Sequence, residues 1–301
     1  FRSVAGFLLF VKIEYKPRAV LFTERLKSVG DTSSSATRVF SILTVFVIEG
    51  DYGEFVLVNN SKVIDSVIQD TLDYKKKNKA INSKSLEKSL LIVNDFPGIT
   101  VLSADIKPGK SIGNSDFVVT VENTDKTYDG YVLIDNYGSR YTGQHRVMAG
   151  LNLLSPFHIG DELSFTGLLS NGENLKNGMV SYAFPLYRNG LRTKISYSKT
   201  SYHLVEEYHS LNSIGTSDAI DVRFTYPLIK KRAKNLDIFL NIRNKYLKDE
   251  VRSTDYEIKK DSLAYDIGLT YNRDNSSLFG LNYSKQASIV VTYGDLNFKD
   301  D

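Results

Sequence analysis

From about residue 130 onward apolar and polar residues alternate with a period of two. Leu163, Phe165 and Leu169 alternate with Glu162, Ser164 and Thr166; Val180, Tyr182, Phe184 and Leu186 with Ser181 and Ala183; Leu191, Ile195 and Tyr197 with Arg192, Lys194 and Ser196. The pattern returns over Ile220 to Leu228 against Asp221, Arg223 and Thr225, and over Leu236 to Ile242 against Asp237, Asn241 and Arg243. A further segment runs from Leu263 to Tyr271 against Ala264, Asp266, Gly268 and Thr270. Successive side chains of a strand point to opposite faces, so each segment predicts a strand with one apolar and one polar face. About nine such strands are expected. Arg192, Lys194, Arg223 and Arg243 fall on the polar face and are expected to line a polar interior.

Upstream the period changes. Residues 54–59 predict a short strand, and Ser61 is placed to cap a helix with Val63, Ile64, Val67, Ile68 and Leu72 on one face. Lys75, Lys76 and Lys77 follow where the helix dipole favours cations. A second helix opens at Asn82 or Ser83, carries Leu86, Leu90 and Leu91, and stops before Pro97 and Gly98. Strands are predicted over Ile99 to Ile106 and Ser115 to Glu122, giving the order βααββ across residues 51–125. Residues 1–50 read as a shortened copy of the same unit. Their opening apolar stretch, Phe1 to Val11, lacks a small-residue cleavage site and predicts a buried strand. Leu26 to Thr32 predicts a helix-to-strand turn, and Val39 to Glu49 another strand. The chain divides into residues 1–50, 51–125 and 126–301.

Composition narrows the classes. The 301 residues include 42% hydrophobic and 24% charged side chains, which suits folding, and the net charge of +3 gives no reason to expect a nucleic-acid partner. There is no cysteine, hence no disulfide framework or thiolate metal site. His145, His158, His203 and His209 lack metal-ligand spacing, and no nucleophile elbow occurs, so no catalytic residue, metal site, cofactor or enzyme activity is expected. Gly109-Lys110-Ser111 resembles the end of a phosphate-binding loop. The glycine required five positions earlier is Ala104 and a strand follows, so no nucleotide is expected.

Alternation alone also suits a soluble β-sandwich. Three features favour an antiparallel transmembrane β-barrel: strands long enough to cross a bilayer at a tilt, charges confined to one face, and tyrosines near strand ends. Short connections at Arg188-Asn189-Gly190 and Asn272 to Asn275 alternate with long polar ones at Ser201 to Ser217 and Asp249 to Asp261.

Short motifs recur in a fixed order: Glu49-Gly50-Asp51-Tyr52-Gly53, Asn94-Asp95-Phe96-Pro97-Gly98, Lys107-Pro108-Gly109, and Asp135-Asn136-Tyr137-Gly138-Ser139-Arg140-Tyr141-Thr142-Gly143. Then come Ser155 to Asp161, Ser181 to Leu186 and Tyr226-Pro227-Leu228. In this order they resemble the two-partner secretion transporters (TpsB, or haemolysin-activator proteins) of Gram-negative outer membranes. The signature positions are Asp95, Pro97, Gly98, Pro108, Gly109, Asp135, Asn136, Gly138, Arg140, Tyr141 and Gly143. The stretch from Asp135 to Gly143 reads as the junction between the α/β part and the strands.

The resemblance implies a periplasmic POTRA domain over 51–125, a barrel in the outer membrane from 126, and a secreted exoprotein of haemolysin or adhesin type as cargo, moved unfolded. The cargo is expected to add to the edge strand of the POTRA sheet through Ile99, Val101, Leu102, Ala104 and Ile106. The resemblance further implies sixteen barrel strands and a Val-Arg-Gly-Tyr loop motif absent from these 301 residues, so the chain is expected to be a fragment with an incomplete barrel that does not itself secrete. Two rival readings are an outer-membrane protein assembly factor of the same superfamily and a soluble β-rich adhesin.

Overall fold

The computed structural model describes residues 8–14, 40–46, 51–74, 83–111, 114–278 and 281–299. Two short strands come first, β1 (Leu8–Glu14) and β2 (Phe40–Phe46), and they pair in parallel with each other. The turn expected at Leu26 to Thr32 lies outside the described residues, as do Lys75 to Lys77.

The βααββ unit follows. β3 (Asp51–Asn60), α1 (Asp65–Asp73), α2 (Ser83–Asn94), β4 (Ile99–Pro108) and β5 (Asn114–Asn123) form a three-stranded sheet of order β3-β5-β4 with both helices packed on it. β5 lies in the middle, parallel to β3 and antiparallel to β4. Its buried positions Phe117, Val119 and Val121 alternate, and they meet Phe55, Ile68, Leu72, Ile92, Val93, Phe96 and Ile99 in one core. The first helix starts later than its sequence predicts. Ser61 is not its cap; Ile64 stands at that position with no side-chain bond, and it is half exposed instead of facing the core. Asn59 organises the turn instead, accepting from the Ser61 N–H and donating to the Val63 carbonyl.

Nine strands then form an antiparallel meander in which every strand pairs with its sequence neighbours. They are β6 (Tyr128–Asp135), β7 (Arg146–Leu154), β8 (Glu162–Ser170), β9 (Leu175–Pro185), β10 (Arg192–His203), β11 (Ser213–Lys231), β12 (Lys234–Val251), β13 (Tyr256–Leu278) and β14 (Leu281–Lys299). Among the described residues the sheet is open, because β6 and β14 each pair on one side only. Since the chain enters β6 from the βααββ unit, odd and even connections fall at opposite rims. The near rim holds residues 155–161, 186–191 and 232–233; the far rim holds 136–145, 171–174, 204–212 and 252–255.

Several connections differ from their sequence reading. Asp135 to Gly143 is no junction: the sheet already begins at Tyr128, and this stretch is the far-rim loop of the first hairpin. Asn272 to Asn275 lies inside β13, at a register shift between Arg273 and Ser276. The two long polar connections are mostly strand, leaving loops of only 204–212 and 252–255, because polar residues continue the ladder beyond the apolar stretch. Charges also appear on the apolar face in its far third, at Lys199, Asp218, Lys248 and Lys259, whose ladder partners place them there.

The two halves differ in what holds them. Phe117→Ala should destabilise the βααββ unit by about 3–5 kcal/mol, the cost of emptying a buried aromatic site. Urea unfolding would show it, and a shift under 1 kcal/mol would contradict the packing described.

Candidate functional site

The near rim of the large sheet carries the βααββ unit, and the segments around Asp95 to Gly98 and Ser155 to Asp161 meet there. Residues 155–161 form a tight turn with positive φ at Ser155 (49°), His158 (63°) and Gly160 (73°). Asp161 holds it from within: fully buried, its carboxylate accepts from the N–H groups of Phe157 (3.2 Å) and Ile159 (3.3 Å). The turn then grips the unit. The Ser155 hydroxyl donates to the Pro97 carbonyl at 2.7 Å, the Ile64 N–H donates to the His158 carbonyl at 2.9 Å, and Lys62 bonds the Leu154 carbonyl. A Cβ on Gly160 would sit 2.7 Å from the Phe96 ring, and one on Gly190 2.9 Å from Ile92, so both glycines are needed for close approach.

Ion pairs extend this contact. Asp95 pairs with Lys230 at 2.5 Å and Asp70 with Arg188 at 2.6 Å, while Lys88 donates to the Pro227 carbonyl at 2.5 Å and lies 5.0 Å from the Tyr226 ring. Of the signature residues, Asp95, Pro97 and Gly98 are therefore rim contacts. Gly98 (φ 82°) faces Lys62 and Leu154. Pro108 and Gly109 close the β4–β5 hairpin, where the Gly109 N–H donates to the Asn114 carbonyl.

Across the sheet, ladder partners share a face. Lys194 pairs with Arg223, Asp221 with Arg243, Arg223 with Asn241, Asn241 with Asp266, and Asp266 with Thr292. The predicted polar residues Arg192, Lys194, Arg223 and Arg243 thus lie on one face, and Arg243 joins a network there that the sequence did not reveal as such. Arg243 Nε bonds Asp221 at 2.6 Å and its Nη2 lies 3.4 Å from Asp266; Asn241 and Thr292 both donate to Asp266. Arg223 stacks over the Phe239 ring at 3.7 Å. Arg192 sits at the near-rim end, donating to the Gly160 carbonyl.

Burial is inverted relative to a water-soluble sheet. On the polar face Asn241 and Asp266 are 5% and 7% exposed, whereas on the opposite face Ile267 and Ile220 are 58% and 53% exposed. On β13 the outward apolar positions run from Leu263 to Tyr271, the span a tilted strand needs to cross a bilayer, about 9–11 residues. No helix among the described residues is long and apolar enough to cross a membrane.

At the far rim, Asp135 ends β6, and Asn136, Gly138, Arg140, Tyr141 and Gly143 belong to the loop that follows it. Asp135 pairs with Arg146 at 2.8 Å, and the Gly138 N–H donates to the Gln144 carbonyl. Arg140 reaches Glu207 of another far-rim loop at 2.9 Å, and Tyr141 meets Tyr208 edge-on. The Tyr141 hydroxyl and Glu207 raise the Arg140 pKa further, so this guanidinium stays charged. Of the expected edge-strand residues, Ile99 and Val101 turn their side chains to the core, Leu102 is an exposed bulge residue, and Ala104 and Ile106 are exposed. The Val101 N–H on this strand is taken by the Asn94 side chain.

Residues 113–287 match the model of the haemolysin secretion/activation protein family ShlB/FhaC/HecB. The chain belongs to this family of two-partner secretion proteins. It is 27% identical over 248 residues to the heme/hemopexin transporter protein HuxB of Haemophilus influenzae strain 86-028NP, covering 79% of this chain and 43% of that protein. The HuxB of strain Rd is 26% identical over 270 residues, 85% of this chain and 46% of its own. The chain thus spans less than half the length of these relatives. The fold is similar to that of CdiB from Escherichia coli, with a TM-score of 0.65 and 17% identity over 85% of this chain and 47% of that one.

In this family member the rim contact makes a specific prediction. Gly160→Ala forces a left-handed backbone on a residue with a Cβ, about 1–2 kcal/mol, and drives that Cβ into Phe96. The βααββ unit should loosen from the rim, and cleavage by protease in the connection 124–127 should rise several-fold. Unchanged cleavage would remove Gly160 from the docking contact.

Proposed function

We propose that this chain contributes the partner-binding unit and part of the barrel wall of an outer-membrane transporter that moves a secreted exoprotein out of the cell. The single observation that carries this reading is the inverted burial of the nine-stranded sheet, with an ion network on the sheltered face and aliphatic and aromatic side chains on the exposed one. In water such a face is an aggregation hazard; against lipid it is the favourable arrangement. The ion-paired face with Arg192, Lys194, Arg223 and Arg243 would then line the conduit.

In this reading residues 51–125 are a POTRA domain in the periplasm and residues 126–301 belong to the barrel. The exoprotein partner, of haemolysin or adhesin type, adds as a strand to β4, which pairs on one side only. Pairing uses backbone groups beyond Leu102, because the Val101 N–H is already engaged. The secretion role of family members and the transporter role named for HuxB support a protein cargo without fixing which one.

Charge placed on the exposed apolar face tests the wall. Ile267→Arg should lower stability in lipid by about 2–4 kcal/mol, whereas Ala264→Ser on the polar face should stay within about 0.5 kcal/mol. Denaturant titration of vesicle-inserted protein reads both, and equal effects would overturn the proposed sidedness. For the edge, Ala104→Pro removes a backbone donor on β4 and should weaken exoprotein binding, measured by calorimetry on a variant whose circular dichroism is intact. Unchanged affinity in that folded variant would exclude β4 as the docking strand.

A further inference from the structure

On the apolar face, across the first five strands of the meander, a groove of about 860 Å³ opens beside the flat remainder of the wall. Its floor follows one row of ladder partners, Val132, Ala149, Gly167 and Gly178, and the row ends at Lys199. Leu151, Phe165, Val180 and Tyr197 make a wall one row nearer the βααββ unit, each close to half exposed. The groove is shallow and open along its length, and its walls are apolar on the face read above as lipid-facing.

Lys199 gives the groove a charged end. Its carboxylate neighbour Asp218 accepts a 2.5 Å hydrogen bond from the Tyr197 hydroxyl, and Lys199 stands off at 3.6 Å with its side chain 61% exposed. The ammonium therefore keeps donors for another acceptor. A lysine stem lying along apolar surface with its head at the polar boundary is the usual arrangement at a membrane interface.

We propose that this groove holds one acyl chain of an anionic phospholipid, with the head-group phosphate against Lys199. The occupant follows from two features together: continuity of the groove with the lipid-facing apolar face, and positive charge at one end of an otherwise uncharged lining. The proposal rests on the membrane-wall reading above.

Native mass spectrometry of the full chain in detergent, supplied with phosphatidylglycerol or phosphatidylcholine, tests it. The wild type should retain one phosphatidylglycerol in preference to phosphatidylcholine. Gly178→Leu and Gly167→Leu place side chains where an added Cβ meets nothing within 4 Å, so both should fold and insert while filling the groove. Each should cut phosphatidylglycerol retention about tenfold, the effect of displacing two buried methylenes. Lys199→Gln should keep the lipid but lower the preference for phosphatidylglycerol by up to about fivefold. Equal retention by the leucine variants, no preference in the wild type, or a protein dimer that competes with the lipid would overturn the proposal. Flotation with vesicles separates the two readings: failure to float with any lipid removes the membrane wall itself, whereas flotation with unchanged lipid retention removes the groove alone.

Discussion

In hydrocarbon a backbone N–H or C=O without a partner costs several kcal/mol, so a membrane wall made of strands depends first on an unbroken ladder. Between its two open edges, β6 and β14, the nine-stranded sheet meets that requirement. From Ile220 to Tyr226 on β11 and from Leu263 to Tyr271 on β13, every residue has a ladder partner in continuous register. The two irregularities lie outside this band. One sits between Pro227 and Ile229, the other between Arg273 and Ser276, both toward the near rim. Pro227 cannot donate to the ladder at all, and its carbonyl accepts from Lys88 of the βααββ unit instead.

Continuous register then dictates the side-chain arrangement. A period of two leaves only two faces, and ladder partners must share one, so Asp221 cannot avoid Arg243 nor Asn241 avoid Asp266. These neighbours are complementary in charge or hydrogen bonding, which is what makes a sheltered ionic face tolerable. The same register brings Ala149, Gly167 and Gly178 into one row on the other face, and a groove results because small residues coincide on three adjacent strands.

What could be read in the sequence follows from these periods. The strands from Glu162 onward were legible because apolar and polar residues alternate there, and the helices of the βααββ unit because Ile68 and Leu72 fall on one face. The start of the sheet was not. β6 carries Tyr131, Val132, Leu133 and Ile134 in succession, so it shows no alternation of apolar and polar residues. The loop that follows it therefore looked like a domain junction. Loop lengths were overestimated for the opposite reason: polar residues such as Tyr256 to Lys260 remain in the ladder after the apolar band ends. The rim contact was invisible in any local pattern, because Gly160 and Phe96 are brought together by the fold alone.

That contact also explains why the small unit and the large sheet act on one another. Phe96 and Ile92 belong to the core of the βααββ unit, and the same two side chains fill the space over Gly160 and Gly190 at the rim. Because packed interiors leave little room for adjustment, Phe96 cannot leave its place in the core without also vacating the rim. Helix α2 touches β4 on one side and β11 on the other. Under the docking reading proposed above, a segment paired with β4 would be presented at a fixed angle to the near rim. The position of β4 relative to the ion-paired face is set by apolar packing at Phe96 and Ile92, to which the Asp95–Lys230 and Asp70–Arg188 pairs add orientation more than binding energy.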